Sequence, residues 1–361
     1  MIHVYGCRIS YYTGKLETYL RFRSVPYEQL PTEPHKRKII AGAGALQMPV
    51  VELEDGRWLS DTTPTIAWFE SQQDAPSIYP TDPALRFAAV MLEDYADEWL
   101  WRPAMHYRWS PRQDRQYASG AIVDELLQHI PLPRFAKRFL VTRRQYRFVR
   151  GDGVSEATRG HVEQSYLTAL DRLQAIFERR RFLLGDQPTI ADFGMMAPML
   201  RHFGQDPTPQ EIMRRRAPGV YEWVARMWNT RATDAAPELI SEIDAPLSAL
   251  LVEACETHLV QLRENAVAYG RGLKRYDQVI QGCRYQQVPS SRYRVWCLEE
   301  LRREWARTGD DARNALLQHL PEAEASVLWD DSPIAASEYD PERLAPFNRA
   351  INVFGKGVPP A

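Results

Sequence analysis

Apolar residues in the N-terminal part of the chain follow two alternating spacings. Short continuous apolar runs, typical of buried strands, occupy residues 2–5, 25–30, 49–53 and 58–60. Apolar residues at helical spacing predict amphipathic helices near residues 16–23, 38–45 and 63–69. The turn at residues 54–57 predicts a hairpin between the last two strands. The predicted order is therefore β-α-β-α-β-β-α.

A change of spacing marks the second part of the chain. Proline and aspartate cluster at residues 79–83, which predicts a linker. From residue 84 the spacing of apolar residues is helical until well past Trp228. Thr189 and Asp192, three residues apart, predict a capping box at the start of a buried helix. This part is expected to be built of helices alone.

The pattern changes again beyond residue 245. A predicted helix to about residue 270 is followed by two strand-like runs, 276–280 and 283–288, which predict a hairpin around Gln281 and Gly282. Two more helices are predicted, and residues 322–361 read as a loosely structured tail. The chain is thus expected to form three units, at residues 1–79, 84–240 and 245–361.

Composition places the chain among ordinary globular proteins. It has 361 residues, 44% of them hydrophobic and 25% charged, which suffices for a sizeable core. Its net charge of −2 argues against nucleic acid or an anionic membrane as a partner. No apolar run approaches the roughly 20 residues that span a bilayer, and the beginning lacks the order of a signal peptide. A cytoplasmic location is therefore expected.

Cysteine spacing indicates neither a metal site nor a disulfide framework. The four cysteines are widely scattered, at positions 7, 255, 283 and 297. We expect free thiols and no metal cofactor.

The turn after the first strand carries the most suggestive chemistry. A helix that begins near Ser10 has partial positive charge at its N-terminus, which favours an anion or a thiolate. Ser10 and Thr13 have the spacing of the two sulfurs in a Cys-x-x-Cys motif, but both are hydroxyl residues. A thiol that reacts here must come from a ligand. The other interpretation is that Ser10 only caps the helix.

Four local motifs, in this order and at these spacings, resemble the glutathione S-transferase superfamily. Residues 10–15 resemble its first-helix motif, and residues 47–50 its cis-proline segment. Residues 61–64 resemble the motif before its third helix, and residues 185–192 its helical capping motif. The resemblance covers about residues 1–235. It implies an α/β N-terminal thioredoxin-like domain followed by an all-α domain, to which this chain adds an α+β C-terminal extension.

The resemblance also implies a glutathione site. The residues that it assigns to glutathione binding are Gln47, Met48, Pro49, Asp61, Thr62 and Lys36. Asp61 is expected to pair with the α-ammonium group of glutathione, while Thr62 and the amides beside it receive the α-carboxylate. By analogy with the family, the glycine carboxylate is met by a cation among His35, Lys36 and Lys38. This choice stays open, with Lys36 as the candidate.

The resemblance gives Ser10 the role of a hydroxyl donor that stabilises the glutathione thiolate. Thr13, one helical turn further on, is the alternative, and Tyr11 or Tyr12 can take the role if the turn is rotated. Because Ser10 acts as a donor rather than as a nucleophile, no histidine or aspartate partner is required.

The second substrate is expected between the two domains. The residues that we assign to its site are Tyr11, Tyr12, Trp99, His106, Arg108 and Trp109. Aromatic rings suit an aromatic or conjugated electrophile, and the two potentially cationic groups suit an anionic substituent. Packing between helices is the other interpretation of these aromatic residues.

The favoured hypothesis is a glutathione-dependent transferase that acts on a small apolar electrophile, as in detoxification. By resemblance, it is expected to be a homodimer. A non-catalytic binding or scaffold protein of the same fold is the alternative, as is a glutathione-dependent lyase or isomerase. Disulfide exchange is disfavoured because it needs a cysteine where Ser10 stands.

Overall fold

The N-terminal domain is built around a four-stranded sheet. The structure is a computed structural model that describes residues 1–74, 76–330 and 332–350. The strands are β1 (Ile2–Gly6), β2 (Tyr27–Pro31), β3 (Val50–Glu52) and β4 (Trp58–Ser60). They lie in the order β2-β1-β3-β4. β1 runs parallel to β2, with Ile2 opposite Tyr27, while β3 runs antiparallel to both β1 and β4.

Three helices complete this domain and confirm the predicted order of elements. They are α1 (Tyr11–Phe22), α2 (Lys36–Ala43) and α3 (Thr62–Glu70). Helix α1 begins where predicted because the Ser10 side chain accepts a hydrogen bond from the backbone of Thr13. The order of elements and the mixed sheet together form a thioredoxin-like domain.

The second domain is all-helical, as predicted. Its helices are α4 (Pro83–Asp94), α5 (Trp101–Trp109), α6 (Arg112–Leu126), α7 (Arg134–Gly151), α8 (Arg159–Phe177), α9 (Ile190–Pro198), α10 (Pro207–Arg216) and α11 (Pro218–Asn229). A π-helical turn, Tyr95–Trp99, joins α4 to α5. No helix within the described ranges is both long and apolar enough to cross a bilayer.

The predicted capping box at the start of α9 is confirmed. The Asp192 carboxylate accepts hydrogen bonds from the Thr189 backbone at 2.9 Å and from Leu183 at 2.9 Å. The Trp223 indole donates to it at 3.2 Å. Burial raises the pKa of Asp192 to about 6, although these donors lower it. Asp192 therefore has a structural role.

The C-terminal extension contains both helices and strands. Its elements are α12 (Ala245–Ala254), α13 (Val260–Gly270), β5 (Arg275–Ile280), β6 (Cys283–Pro289), α14 (Arg292–Arg307), α15 (Asp310–Leu317) and α16 (Glu322–Ala325). β5 and β6 pair antiparallel around Gln281 and Gly282, which confirms the predicted hairpin.

The end of the extension packs against the N-terminal domain. Regular structure is scarce after α16, but the backbone N–H of Ser60 in β4 donates to the Pro346 carbonyl at 3.0 Å. Ala350 donates to the Ala43 carbonyl at 2.7 Å. Pro346 and Ala350 therefore lie against β4 and the end of α2. The predicted tail contains the short α16 and no helix or strand over residues 332–350, but these contacts hold it against the N-terminal domain. Residues 351–361 of that prediction lie outside the described residues.

A buried charge cluster joins the two domains. Lys15 in α1 is fully buried, and its ammonium group donates to Glu93 and Asp97 and, at 3.0 Å, to the Thr63 hydroxyl. Thr63 in turn donates to Glu93 at 2.5 Å. Burial lowers the pKa of Lys15, but the negative charges of Asp97 and Glu93 raise it by more than burial lowers it. The net pKa is above its ordinary value, so the ammonium group stays protonated. Burial likewise raises the pKa of Asp97 well above its ordinary value.

This cluster gives a first prediction. Lys15→Met is expected to lower the free energy of unfolding by about 3–5 kcal/mol, because two buried carboxyl groups lose their cation. Denaturant titration followed by circular dichroism measures it. Lys38→Met is the matched control, since Lys38 is exposed and its ion pair with Glu52 contributes little. Equal destabilisation by the two variants would contradict this role of Lys15.

Candidate functional site

The turn between β1 and α1 presents one accessible hydroxyl. Ser10 is half-buried at the N-terminus of α1, where its backbone donates to the Cys7 carbonyl at 3.0 Å. Its side-chain oxygen accepts a 3.4 Å hydrogen bond from the Thr13 backbone. The hydroxyl proton of Ser10 is free to point toward an anion at the positive end of the helix. Capping the helix and donating to a ligand are therefore compatible for Ser10.

Thr13 faces the interior instead. Its side chain is fully buried and packs over Gly6 in β1, so closely that a Cβ atom on Gly6 would lie 2.5 Å from the Thr13 hydroxyl oxygen. That hydroxyl has no hydrogen-bond partner among the residues that the structure describes. Of the two hydroxyls in the motif, the one with solvent access is that of Ser10.

Tyr11 and Tyr12 form an aromatic wall with Trp101. The Tyr11 hydroxyl donates to the Ala96 carbonyl at 2.5 Å, and the Tyr12 hydroxyl donates to the Asp97 carbonyl at 3.0 Å. Tyr12 stacks on Trp101 with ring centroids 5.6 Å apart. Burial raises the pKa of both phenols well above their ordinary value. Both hydroxyls are thus committed to the π-helical turn of the second domain.

The cis-proline segment lies beside the same turn. The peptide bond between Met48 and Pro49 is cis, as the family resemblance implies. The Cys7 thiol contacts the Met48 sulfur at 3.7 Å, which places this segment next to the start of α1. Burial raises the pKa of Cys7 to about 12. At neutral pH the Cys7 thiol is therefore protonated and a poor nucleophile.

Asp61 stands immediately before α3 in an unusual setting. Its backbone has a φ of +69°, a conformation that costs energy for any residue except glycine. One carboxylate oxygen accepts hydrogen bonds from the hydroxyls of Tyr293 at 2.9 Å and Tyr339 at 3.4 Å. Burial raises the pKa of Asp61 to about 6, while the Tyr293 hydrogen bond lowers it. The strain and the shifted pKa mark Asp61 as a functional candidate.

The two tyrosines belong to the extension and were not foreseen from the sequence. Tyr293 lies 232 residues from Asp61 along the chain. Its ring contacts that of Tyr339, with centroids 5.0 Å apart, and Trp296 packs against both. No local pattern could have revealed a contact at this separation. The only available signal was the clustering of aromatic residues at the start of α14.

The three basic residues near α2 differ in their contacts. Lys38 donates to Glu52 at 2.6 Å and to the Tyr5 hydroxyl at 3.1 Å. The His35 ring lies 2.9 Å from the Pro31 carbonyl. Lys36 is exposed at the start of α2, and its ammonium group has no hydrogen bond or ion pair with any described residue. Lys36 is therefore the least committed of the three side chains.

The other four residues assigned to the second substrate are buried. Arg108 is buried, and its guanidinium binds both carboxylate oxygens of Asp206, at 2.7 and 3.1 Å, and the Ile9 carbonyl at 2.5 Å. His106 lies 3.1 Å from Glu163 on α8, and burial lowers its pKa. The two remaining side chains, Trp99 and Trp109, are buried. Arg108 also lies 2.8 Å from His202, whose ring packs against that of Tyr11 with centroids 5.2 Å apart.

A comparison with protein families identifies the second domain. Residues 151–226 match the family model described as "Glutathione S-transferase, C-terminal domain". This part of the second domain is therefore similar to the C-terminal domain of glutathione S-transferases. This match confirms the superfamily resemblance found in the sequence. No curated protein matches the chain.

Solved structures with a similar fold include three bacterial proteins. One is the beta-etherase LigF from Sphingobium sp. strain SYK-6, at 16% identity over 64% of this chain and 96% of that one, with a TM-score of 0.46. A glutathione S-transferase from Rhodospirillum rubrum F11 has 17% identity over 70% and 92%, with a TM-score of 0.42. One from Methylobacillus flagellatus KT, with glutathione bound, has 14% identity over 64% and 96%, with a TM-score of 0.39.

The contacts of Asp61 give a second prediction. Tyr293→Phe is expected to raise the pKa of Asp61 by about one unit, because a hydrogen bond to the ionised form is lost. Carbon-13 NMR titration of the aspartate carboxyls measures the shift, with Asp61→Asn identifying the signal. Tyr339→Phe is the matched comparison and should have a smaller effect, since its contact is longer. An unchanged or lower pKa in Tyr293→Phe would refute this hydrogen bond.

Proposed function

We propose that this protein binds glutathione and stabilises its thiolate for attack on a small, apolar electrophile. The observation that carries the proposal is the contact of Cys7 with Met48, because the Cys7 carbonyl also accepts a hydrogen bond from the Ser10 backbone. The turn that holds the half-buried Ser10 hydroxyl therefore lies beside the Met48–Pro49 segment. The glutathione S-transferase domain that follows supports the same conclusion.

The proposed site gives each end of glutathione a partner. Asp61 pairs with the α-ammonium group, and Thr62 with the first amides of α3 receives the α-carboxylate. The backbone of Gln47, Met48 and Pro49 holds the cysteinyl part, as an added strand would. The glycine carboxylate is assigned to Lys36, whose ammonium is exposed and uncommitted among the described residues.

Ser10 is the proposed thiolate donor. A free thiol has a pKa near 8.5, and lowering it by about two units requires roughly 2.7 kcal/mol of preferential stabilisation. A hydroxyl hydrogen bond to a charged sulfur and the partial charge at the N-terminus of α1 together supply an amount of this size. Thr13 is a weaker candidate because its hydroxyl is buried against Gly6.

The proposed electrophile is aromatic or conjugated and packs against the wall of Tyr12 and Trp101. Arg108 is not assigned to it, because Asp206 already neutralises that guanidinium. Lyase and isomerase reactions begin with the same thiolate attack and belong to the same proposal. The proposal also includes that the protein is a homodimer, that it is cytoplasmic and that it acts in detoxification.

One observation favours the second candidate function, a non-catalytic binding or scaffold protein. Tyr293 and Tyr339 occupy one oxygen of the Asp61 carboxylate, which is the group proposed to meet the glutathione ammonium. Glutathione must share this carboxylate with the phenols or displace them. Turnover of glutathione with an aromatic electrophile, compared between the native protein and Tyr293→Phe/Tyr339→Phe, separates the two functions. A scaffold predicts no turnover in either protein.

Binding of glutathione should depend on the ionisation of Asp61. The ammonium pairs with the carboxylate form, so affinity is expected to be constant above about pH 6 and to fall roughly tenfold per unit below it. Calorimetry between pH 5 and 8 measures this. Asp61→Asn should bind weakly without that pH dependence. Asp55→Asn, in the exposed β3–β4 turn, is the matched control and should behave as the native protein does.

An absence of measurable glutathione binding by the native protein would overturn the proposal. So would an affinity that falls below pH 6 equally in the native protein and in Asp61→Asn.

The role of Ser10 is tested by the ultraviolet absorbance of the bound thiolate. Ser10→Ala is expected to raise the pKa of bound glutathione by about one to two units, because a hydrogen bond to a charged group is lost. Thr13→Val, which removes the buried hydroxyl at nearly constant volume, should leave it unchanged. The reverse result, a shift in Thr13→Val alone, would transfer the role to Thr13.

A further inference from the structure

Helix α7 and the loop before it carry a concentration of positive charge. Residues 127–151 contain six arginines and one lysine and no acidic residue, although the whole chain has a net charge of −2. Among the described residues, Arg143, Arg144, Arg147 and Arg150 have no ion pair, and all four are exposed. Arg134 is the exception, since it binds Asp124.

The same helix and the loop before it expose large apolar side chains. Phe135 is 77% exposed, Phe139 63% and Leu140 52%, and Leu132 and Tyr146 are also exposed. Phe135, Phe139 and Tyr146 fall within roughly 40° of one another around the helix at 100° per residue. Apolar residues of this size are rarely exposed together on a soluble surface without a partner.

A basic groove lies beside this apolar stripe. It has a volume of about 400 Å³ between α6 and α7, and the side chains that line it include Arg112, Arg115, Arg138, Phe135 and Phe139. Arg112 and Arg115 have no ion pair with any residue in the described ranges. Uncompensated guanidinium groups next to exposed rings suit a ligand that presents phosphate groups above a hydrocarbon layer.

We propose that the α6–α7 hairpin binds the surface of a bilayer that contains anionic phospholipid. Phe135 and Phe139 enter the boundary between headgroups and acyl chains, while arginines that flank this stripe on both helices contact lipid phosphates. The protein lies on the bilayer and does not cross it. The net charge of −2 argued against an anionic membrane, but it is a sum over the whole chain. It does not show that the basic residues are concentrated on this hairpin.

Two other occupants fit the surface less well. A symmetric dimer would place the same patch on both subunits, so that the arginines of α7 would face each other without acidic partners. Nucleic acid suits arginine and aromatic residues, but the exposed Leu132 and Leu140 offer it neither a stacking surface nor a hydrogen bond. The surface of a lipid bilayer can contact the arginine, aromatic and leucine side chains alike.

The hairpin lies next to the candidate active site. Phe148 on α7 packs edge-on against Trp101, with centroids 6.4 Å apart, and Trp101 stacks on Tyr12. If the proposed function holds, an apolar electrophile dissolved in the bilayer is thus delivered beside the aromatic wall. Binding of the surface to lipid does not itself depend on that function.

Sedimentation of the full chain with vesicles tests the proposal. We expect binding to vesicles of equimolar phosphatidylglycerol and phosphatidylcholine, little binding to pure phosphatidylcholine, and a strong decrease with salt. Arg143→Gln/Arg147→Gln should weaken binding about fivefold for each charge removed. Phe135→Ser/Phe139→Ser should weaken it about tenfold or more. Circular dichroism verifies that each variant is folded.

Matched controls remove the same groups elsewhere. Arg179→Gln/Arg271→Gln removes two exposed charges outside the hairpin, and Val279→Ser removes an exposed apolar side chain on β5. Both should bind vesicles as the native protein does. Equal loss of binding in these controls, or no binding by the native protein, would overturn the proposal. So would a change from dimer to monomer in Phe135→Ser/Phe139→Ser by light scattering, or tighter binding to single-stranded RNA than to vesicles.

Discussion

The buried ammonium of Lys15 is the interaction on which the arrangement of the two domains depends. One cation in α1 is surrounded by Glu93 at the end of α4, Asp97 in the π-helical turn and the Thr63 hydroxyl of α3. Charges taken out of water are costly unless each is paired, so these three elements tolerate little relative movement. Ser10 lies at the start of α1 and Asp61 immediately precedes α3. The Lys15 cluster therefore also fixes the positions of Ser10 and Asp61 relative to each other.

The extension adds a second constraint at Asp61. Two phenol hydroxyls from distant segments meet a carboxylate whose pKa burial has raised to about 6. Hydrogen bonds to a charged group contribute roughly 1.5–3 kcal/mol each. They therefore tie the extension to the ionisation of the residue proposed to recognise glutathione. The backbone contacts of Ser60 with Pro346 and of Ala43 with Ala350 hold the same segment along the sheet edge.

The near-zero net charge of the chain hides two different environments of its positively charged side chains. Arg108 and Lys15 are buried and neutralised by carboxylates, so their charges hold the interior together. Arg143, Arg144, Arg147 and Arg150 of α7 have no such partners among the described residues and are exposed. The same residue type thus serves packing in one place and, as proposed, recognition in another. The difference lies in whether an acidic side chain is within reach.

Local patterns in the sequence determined the elements. The β-α-β-α-β-β-α order, the all-helical second part, the hairpin around Gln281 and Gly282 and the capping box of Thr189 and Asp192 all follow from residues close together in the chain. Periodicity and turn chemistry act over a few residues, and so they can be read from the sequence. The motif around Ser10 and the Met48–Pro49 segment were recognisable for the same reason.

Only the tertiary structure decided which of these residues face one another. Lys15 stood within the first motif, yet its partners lie 78 and 82 residues away, and Tyr293 lies 232 residues from Asp61. Thr13 was the alternative to Ser10 as the hydroxyl donor, and only the packing showed that its side chain is buried against Gly6. Arg108, which the sequence assigned to the second substrate, pairs with Asp206, 98 residues further along the chain. Contacts between distant segments arise from the packing of whole elements, which no local pattern records.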